Sequence, residues 1–297
     1  MSATRALHFC LKIGNRPKSI RFYRDILGMT VLRHEEFDEG CAATCNGPYQ
    51  NAWSKTMIGY GPENDNFILE LTYNYPIPSY KIGNDIRNLV IESTEGLEKI
   101  KQEYGLNSGK DEVCLEDPDG YPLIIRRGEN RLSQVSLNVK NLANSLNFWE
   151  NYLAFKSTQV DGKSASIKFD HTGFILNLVE IGQTIDHAKG WGRIAFAAPL
   201  ARVIRINESV KNLPGKHILH PLVELGTPGK ATVTVVILLD SDGYEICFVG
   251  DENYKELSKP DANANELLEK ALAEESEIWE KKKGGRSSIA EKFPTEV

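Results

Sequence analysis

Apolar and polar residues alternate over residues 6 to 13, with Leu7, Phe9, Leu11 and Ile13 on one side and His8, Cys10 and Lys12 on the other. A period of two marks a half-buried strand. From Pro17 to Leu27 the period lengthens: Ile20, Tyr23, Ile26 and Leu27 recur at helical spacing, with Pro17 in the first turn and Gly28 as the stop. β-Rich runs follow at 30–35, 55–60 and 67–73, so the unit reads β-α-β-β-β. A second unit opens near Asp85 with a strand over 86–91, a helix near 95–104 and closing strands that include 121–126 after a "PDG" turn.

The pattern repeats. "SIRFYRDILGMTVL" (19–32) matches "SLNFWENYLAFKST" (145–158) at an offset of 126, and "DPDGYPLII" (117–125) matches "DSDGYEICF" (240–248) at 123. Two domains of like fold are expected, 4–128 and 131–250, with the third and fourth units starting at Gln134 and Arg193. Beyond them, 251–297 reads as a tail: a surface helix over 265–283, then the flexible "GGRSSIAEKFPTEV". The expected class is α+β, four βαβββ modules forming two domains with curled mixed sheets.

Composition narrows the chemistry. Of 297 residues, 41% are hydrophobic and 26% charged, and the net charge is −6. These values suit a globular protein without a nucleic-acid or anionic-membrane surface, both of which need dense Lys and Arg. No stretch approaches 18 uncharged apolar residues. Five scattered cysteines (Cys10, Cys41, Cys45, Cys114 and Cys247) do not read as a disulfide framework and suit a reducing compartment. The expected location is the cytoplasm, with a short mitochondrial address left open. "GTPGK" (226–230) lacks phosphate-loop spacing and reads as a turn. One position breaks its strand's pattern: Glu70 sets a carboxylate within "FILELTYNY" (67–75).

The module order, together with "FYRDILGM", "LELTYNY" and the paired "DPDGY" and "DSDGY" turns, resembles the glyoxalase I, bleomycin-resistance and extradiol-dioxygenase (vicinal oxygen chelate) superfamily. That resemblance implies a divalent metal, Zn²⁺, Ni²⁺ or Mn²⁺, on the concave face of a curled sheet. Ligands come from the first and last strands of each module. It implies His8 as a ligand and Glu70 as ligand and catalytic base. The remaining ligand positions fall at Ile86 and Ile124 in the second module, Gln134 and Asn177 in the third, and Arg193 and Cys247 in the fourth. Isoleucine cannot ligate, and a guanidinium stays protonated. Lys12 and Asn74 stand where the superfamily binds glutathione. Gln134, Asn177, Arg193, Glu245 and Cys247 are expected to share a second polar pocket, in which Arg193 either holds an anion or pairs with Glu245.

Two functions stay open at this stage. One is lactoylglutathione-lyase-type handling of the methylglyoxal–glutathione hemithioacetal or a related reactive carbonyl. The other is a catalytically degenerate protein that binds a small anionic ligand or a protein partner without metal. Four modules in one chain allow a monomer, and members of the superfamily also dimerise by exchanging modules.

Overall fold

A computed structural model describes residues 4–283 except 107–108 and 227–229, so the flexible-tail reading of 284–297 and most of the "GTPGK" turn lie outside the described residues. The first module comprises strands β1 (Arg5–Ile13), β2 (Thr30–Phe37), β3 (Trp53–Gly59) and β4 (Ile68–Asn74). Its helix runs α-helical over Arg16–Ile20 and widens to a π-helix over Arg21–Ile26. Asn15 caps it by accepting from the Lys18 amide, and Gly28 ends it at φ +76°. The second module has β5 (Ile86–Glu92), a helix (Thr94–Glu103), β6 (Glu112–Glu116) and β7 (Pro122–Arg126). Its helix is followed by two strands rather than three among the described residues, because 104–111 is rich in Gly, Asn, Ser and Asp.

The third module has β8 (Arg131–Val139), a helix over Leu142–Asn147 and Phe148–Tyr152, β9 (Ser157–Asp161), β10 (Ser164–Phe169) and β11 (Phe174–Glu180). The fourth has β12 (Arg193–Ala198), a helix (Leu200–Lys211), β13 (Ile218–Leu225), β14 (Val233–Leu239) and β15 (Glu245–Gly250). Helices Asp251–Leu257 and Ala264–Lys283 complete the described chain.

The modules pair across the halves of the sequence. One sheet runs β13-β14-β15-β12-β1-β4-β3-β2 and joins modules one and four; the other runs β6-β7-β5-β8-β11-β10-β9 and joins two and three. A single core fills the space between them, with Phe9, Leu11 and Leu71 of the first sheet clustered with Leu89, Val135 and Leu176 of the second. The opposite faces curl away from this core.

The repeated Asp-x-Asp-Gly-Tyr turns tie modules within each half. Asp117 accepts from the Asp119 and Tyr121 amides, while Asp119 accepts from Ser19 Oγ and the Gly14 amide of module one. Asp240 and Asp242 do the same toward Ser145 and Lys140 of module three. Gly120 and Gly243 turn at φ +93° and +91°, where an L side chain would be strained.

The last helix docks on module one through Arg16, which is fully buried. Its guanidinium meets Glu275 at 3.0 Å, Glu36 at 2.8 Å, Ser54 Oγ at 3.0 Å and the Ala271 carbonyl at 3.1 Å. Removing one side of such a pair strands the other in a dry site. Arg16→Leu is therefore expected to lower stability by about 3–5 kcal/mol, measured by urea unfolding; a loss below about 1 kcal/mol would show that this anchor contributes little.

Candidate functional site

The concave face of the β1/β12 sheet gathers the chemistry. β1 presents His8, Cys10 and Lys12 to it; the parallel neighbour β4 sets Glu70 beside Cys10, and the antiparallel neighbour β12 sets Arg193 opposite Cys10. β15 lies alongside β12, with Glu245 beside Arg193 and Cys247 beside Ala195. About the seam, His8 thus corresponds to Arg193 and Glu70 to Cys247. A cavity of about 860 Å³ opens over His8, Cys10, Glu70, Arg193 and Cys247. Ala195, Val233, Val235, Val249 and Leu257 form its apolar wall, and Glu36, Asp38, Glu39 and Glu224 stand among its lining groups.

Glu70, the carboxylate that interrupts its strand, faces this cavity. One oxygen lies 3.5 Å from His8 Nε2, and the other accepts from Cys10 Sγ at 3.4 Å and from Thr72 Oγ1 at 3.3 Å. The other imidazole nitrogen, Nδ1, meets Glu63 at 2.5 Å. Glu63 is buried and also takes Arg33 at 3.0 Å and the Tyr254 hydroxyl at 2.9 Å. Burial pushes its carboxyl pKa up, but His8, Arg33 and Tyr254 together outweigh that and hold it below the usual range. A carboxylate on Nδ1 leaves Nε2 facing Glu70, the orientation that metal-ligating histidines take.

Arg193 is engaged. Its guanidinium pairs with Glu245 at 2.5 Å and donates to the Ala43 and Thr44 carbonyls at 3.0 and 3.1 Å. Burial alone would depress it, yet Glu245 and its other neighbours keep it protonated. Of the two roles open for Arg193, the structure contains the ion pair. Loop 41–45 rests on this pair, and its turn brings the Cys41 and Cys45 Cα atoms to 5.4 Å, where the sulfurs form a disulfide. One such bond is not a disulfide framework, but it departs from the expectation that the cysteines suit a reducing compartment. Burial raises the Cys10 thiol pKa strongly, Glu70 adds to it and Arg193 opposes it; burial likewise pushes Cys247 up to about 12.

Several expected site residues lie elsewhere. Gln134 and Asn177 sit on the β5/β8 sheet, bonded to Ser136 Oγ and Ser166 Oγ, so they share no pocket with Arg193, Glu245 and Cys247. The modules pair across the halves of the sequence, so residues of modules three and four face different sheets. Ile86 and Ile124 belong to that second sheet as well and have no bearing on the His8 site. A register shift between Ile86 and Asn88 moreover sends Ile86 into the core, so Asn88 is the residue related to Gln134 by the local symmetry. Lys12 is nearly fully buried; it donates to the Trp191 carbonyl at 2.8 Å and lies 3.8 Å from that indole's centroid. Burial brings its pKa down to about 8, against the pull of Glu245. Asn74 is fully buried; it pins the 46–52 loop through Asn46 and Asn51 and donates to the Tyr80 hydroxyl. Neither Lys12 nor Asn74 lines the cavity.

Cys10, Glu63, Arg33 and Tyr254 were not singled out in advance. Cys10 was accessible by strand parity, two residues from His8 on the same face. Glu63 lies in the irregular "GPEND" turn and Tyr254 on a helix beyond the last strand, where no periodicity points inward.

The superfamily's divalent metal can be tested against these donors. A His8 ring nitrogen, Cys10 Sγ and a Glu70 oxygen all lie within 4.8 Å of one another and form the single such group among the described residues. A held imidazole, a carboxylate and a thiol are a fitting donor set for a borderline divalent ion, with the neighbouring Arg193 charge balanced by Glu245.

A curled, unclosed mixed sheet with an inward His and Glu on its first and fourth strands defines the class. A family model described as "Glyoxalase/Bleomycin resistance protein/Dioxygenase superfamily" matches residues 5–103, and one described as "Glyoxalase domain-containing protein 4-like, C-terminal domain" matches 141–257. Glyoxalase domain-containing protein 4 from Rattus norvegicus is 45% identical over 288 residues, covering 94% of this chain and 96% of its own. "Glyoxalase 1" from Caenorhabditis briggsae is 45% identical over 278 residues, covering 93% and 99%. "Lactoylglutathione lyase" from Oryza sativa subsp. japonica is 31% identical over 284 residues, covering 85% and 92%. Among solved structures, glyoxalase I from Zea mays superimposes with a TM-score of 0.66 at 24% identity over 86% of this chain and 95% of that one, a likeness of fold. The chain belongs to the glyoxalase domain-containing protein 4 family. No helix among the described residues is long and apolar enough to cross a membrane.

Charge also holds the cavity's walls. Glu35 on β2 meets Lys55 at 2.8 Å and reaches across to Lys230, beyond β13, at 2.7 Å, so the two edge strands of the curled sheet are linked. Burial opposes ionisation of Glu35, but Lys55, Arg33 and Lys230 prevail and bring its pKa down to about 2. A depressed folded-state pKa stabilises above the unfolded value near 4.5 and is lost as pH falls toward 2. Glu35→Gln is expected to cost about 2 kcal/mol at pH 7, with the gap to the unmodified protein closing between about pH 4.5 and 2. A gap independent of pH in chemical unfolding would contradict this.

Proposed function

We propose that the protein is a metal-assisted lyase of the lactoylglutathione-lyase type, acting on a small reactive carbonyl compound as its thiol adduct in the β1/β12 cavity. The observation that carries the reading is the His8–Glu63 pair, which aims Nε2 at the cavity carboxylate Glu70. His8 and Glu70 hold the divalent ion, and when bound it supplies Lewis-acid stabilisation of charge developing on the substrate oxygens. Glu70 accepts the proton from the carbon next to the carbonyl and returns it to the adjacent carbon, a role that suits a carboxylate facing a half-enclosed space. The apolar wall of module four limits water around the reacting carbons. The resemblance to proteins named lactoylglutathione lyase supports the substrate class. Since each sheet is completed within one chain, a monomer suffices.

A second reading is favoured by a separate observation. Lys12 and Asn74, the residues expected to hold glutathione, are engaged in internal bonds, and Arg193 with its Glu245 partner occupies one ligand position. On this reading the cavity binds a small ligand without metal chemistry.

Turnover of the methylglyoxal–glutathione hemithioacetal, followed as thioester formation by protein loaded with Zn²⁺, Ni²⁺ or Mn²⁺, separates the two. The lyase reading expects turnover and a loss of about 10²–10⁴-fold in kcat/KM in Glu70→Gln. No turnover with any of the three ions would overturn it in favour of the binding protein.

A further inference from the structure

The superfamily positions leave this site short: those related to His8 and Glu70 across the seam hold Arg193 and Cys247, and Arg193 cannot ligate. A replacement stands within module one. We propose that Cys10 is a metal ligand, and that His8, Cys10 and Glu70 together form a three-ligand site built on two adjacent strands, selective for thiophilic divalent ions. This inference rests on the lyase reading's metal site and specifies its third ligand.

Strand geometry makes the grouping. His8 and Cys10 are alternate residues of β1 and so face the same way, while Cys10 and Glu70 are register partners of parallel strands. The thiol donates to Glu70 and lines the cavity instead of joining the core cluster that takes its neighbours Phe9 and Leu11. Glu63 fixes the third donor, the His8 imidazole, from the side away from the cavity.

On binding, the thiol proton leaves to solvent and the sulfur lone pair is donated to the ion. The site's formal charge is then minus two, one from Cys10 and one from Glu70, which matches a dication. Three protein ligands with an open position is the arrangement of catalytic zinc sites. Sulfur shifts preference toward Zn²⁺ and Co²⁺ and away from Mg²⁺ and Mn²⁺. Cys247 lies outside the close donor group, and Cys41 and Cys45 are joined to each other.

The test is Co²⁺ titration of the metal-free full chain, read by bound-metal stoichiometry and by the near-ultraviolet sulfur-to-cobalt charge-transfer band. The expected result is one Co²⁺ per chain with the band present, displaced by Zn²⁺ and unaffected by excess Mg²⁺. The band should be lost in Cys10→Ser and retained in Cys247→Ser and in the Cys41→Ser/Cys45→Ser double variant. Cys10→Ala, checked by circular dichroism, replaces Cys10→Ser if the latter does not fold. One bound Co²⁺ without the band, or a band that survives in Cys10→Ser, would overturn Cys10 ligation while leaving a metal on His8 and Glu70 intact. No retained Co²⁺ in the unmodified protein would overturn both.

Discussion

The antiparallel seam between β1 and β12 is the constraint on which the rest of the structure depends. It joins the first strand of the first module to the first strand of the fourth, more than 180 residues away, with Phe9 opposite Ile194 and Cys10 opposite Arg193. Without it the first sheet falls into two four-stranded halves and the cavity that spans them is lost. With it, the side chains of β1, β4, β12 and β15 converge on one concave face, and the core closes behind them. The long loop closure costs little extra once the intervening modules have folded, since closure entropy grows only logarithmically with length. Each half is also held by its Asp-x-Asp-Gly-Tyr turn, so connectivity and strand pairing bind the modules in different combinations.

Charges around the cavity are balanced locally. Arg33 answers Glu63, Arg193 answers Glu245, and Lys55 with Lys230 answers Glu35. A buried charge without a partner costs several kcal/mol, so these pairs set what the cavity can present. Once they are formed, His8, Glu70 and the Cys10 thiol still line the cavity on the module-one side. Lys12 and Asn74 illustrate the same rule in reverse: their polar atoms are taken up by the Trp191 and Asn46 carbonyls and neighbouring side-chain amides.

Much of this was legible in the sequence. The period of two around His8, the helical period around Tyr23 and the turn glycines placed the elements of the first module to within a few residues, because each signal is local. Glu70 was legible for a related reason: a carboxylate in a buried strand needs a partner or a cavity. The pairing of modules was not legible, since it depends on which strand edges meet after the core closes, and that misplaced Gln134 and Asn177. Glu63, in a turn without periodicity, becomes visible only when Arg33, Tyr254 and His8 surround it. Ile86 stands at an expected ligand position, and a single irregularity in register turns it into the core.

The proposed chemistry requires one metal-binding site, on the module-one side of the β1/β12 seam. Anomalous diffraction from Zn²⁺-loaded crystals, recorded above and below the zinc absorption edge, tests it most directly. A single strong peak per chain is expected, within bonding distance of His8, Glu70 and Cys10. A peak on the β5/β8 sheet, or density at His8 and Glu70 that does not change across the edge, would contradict it.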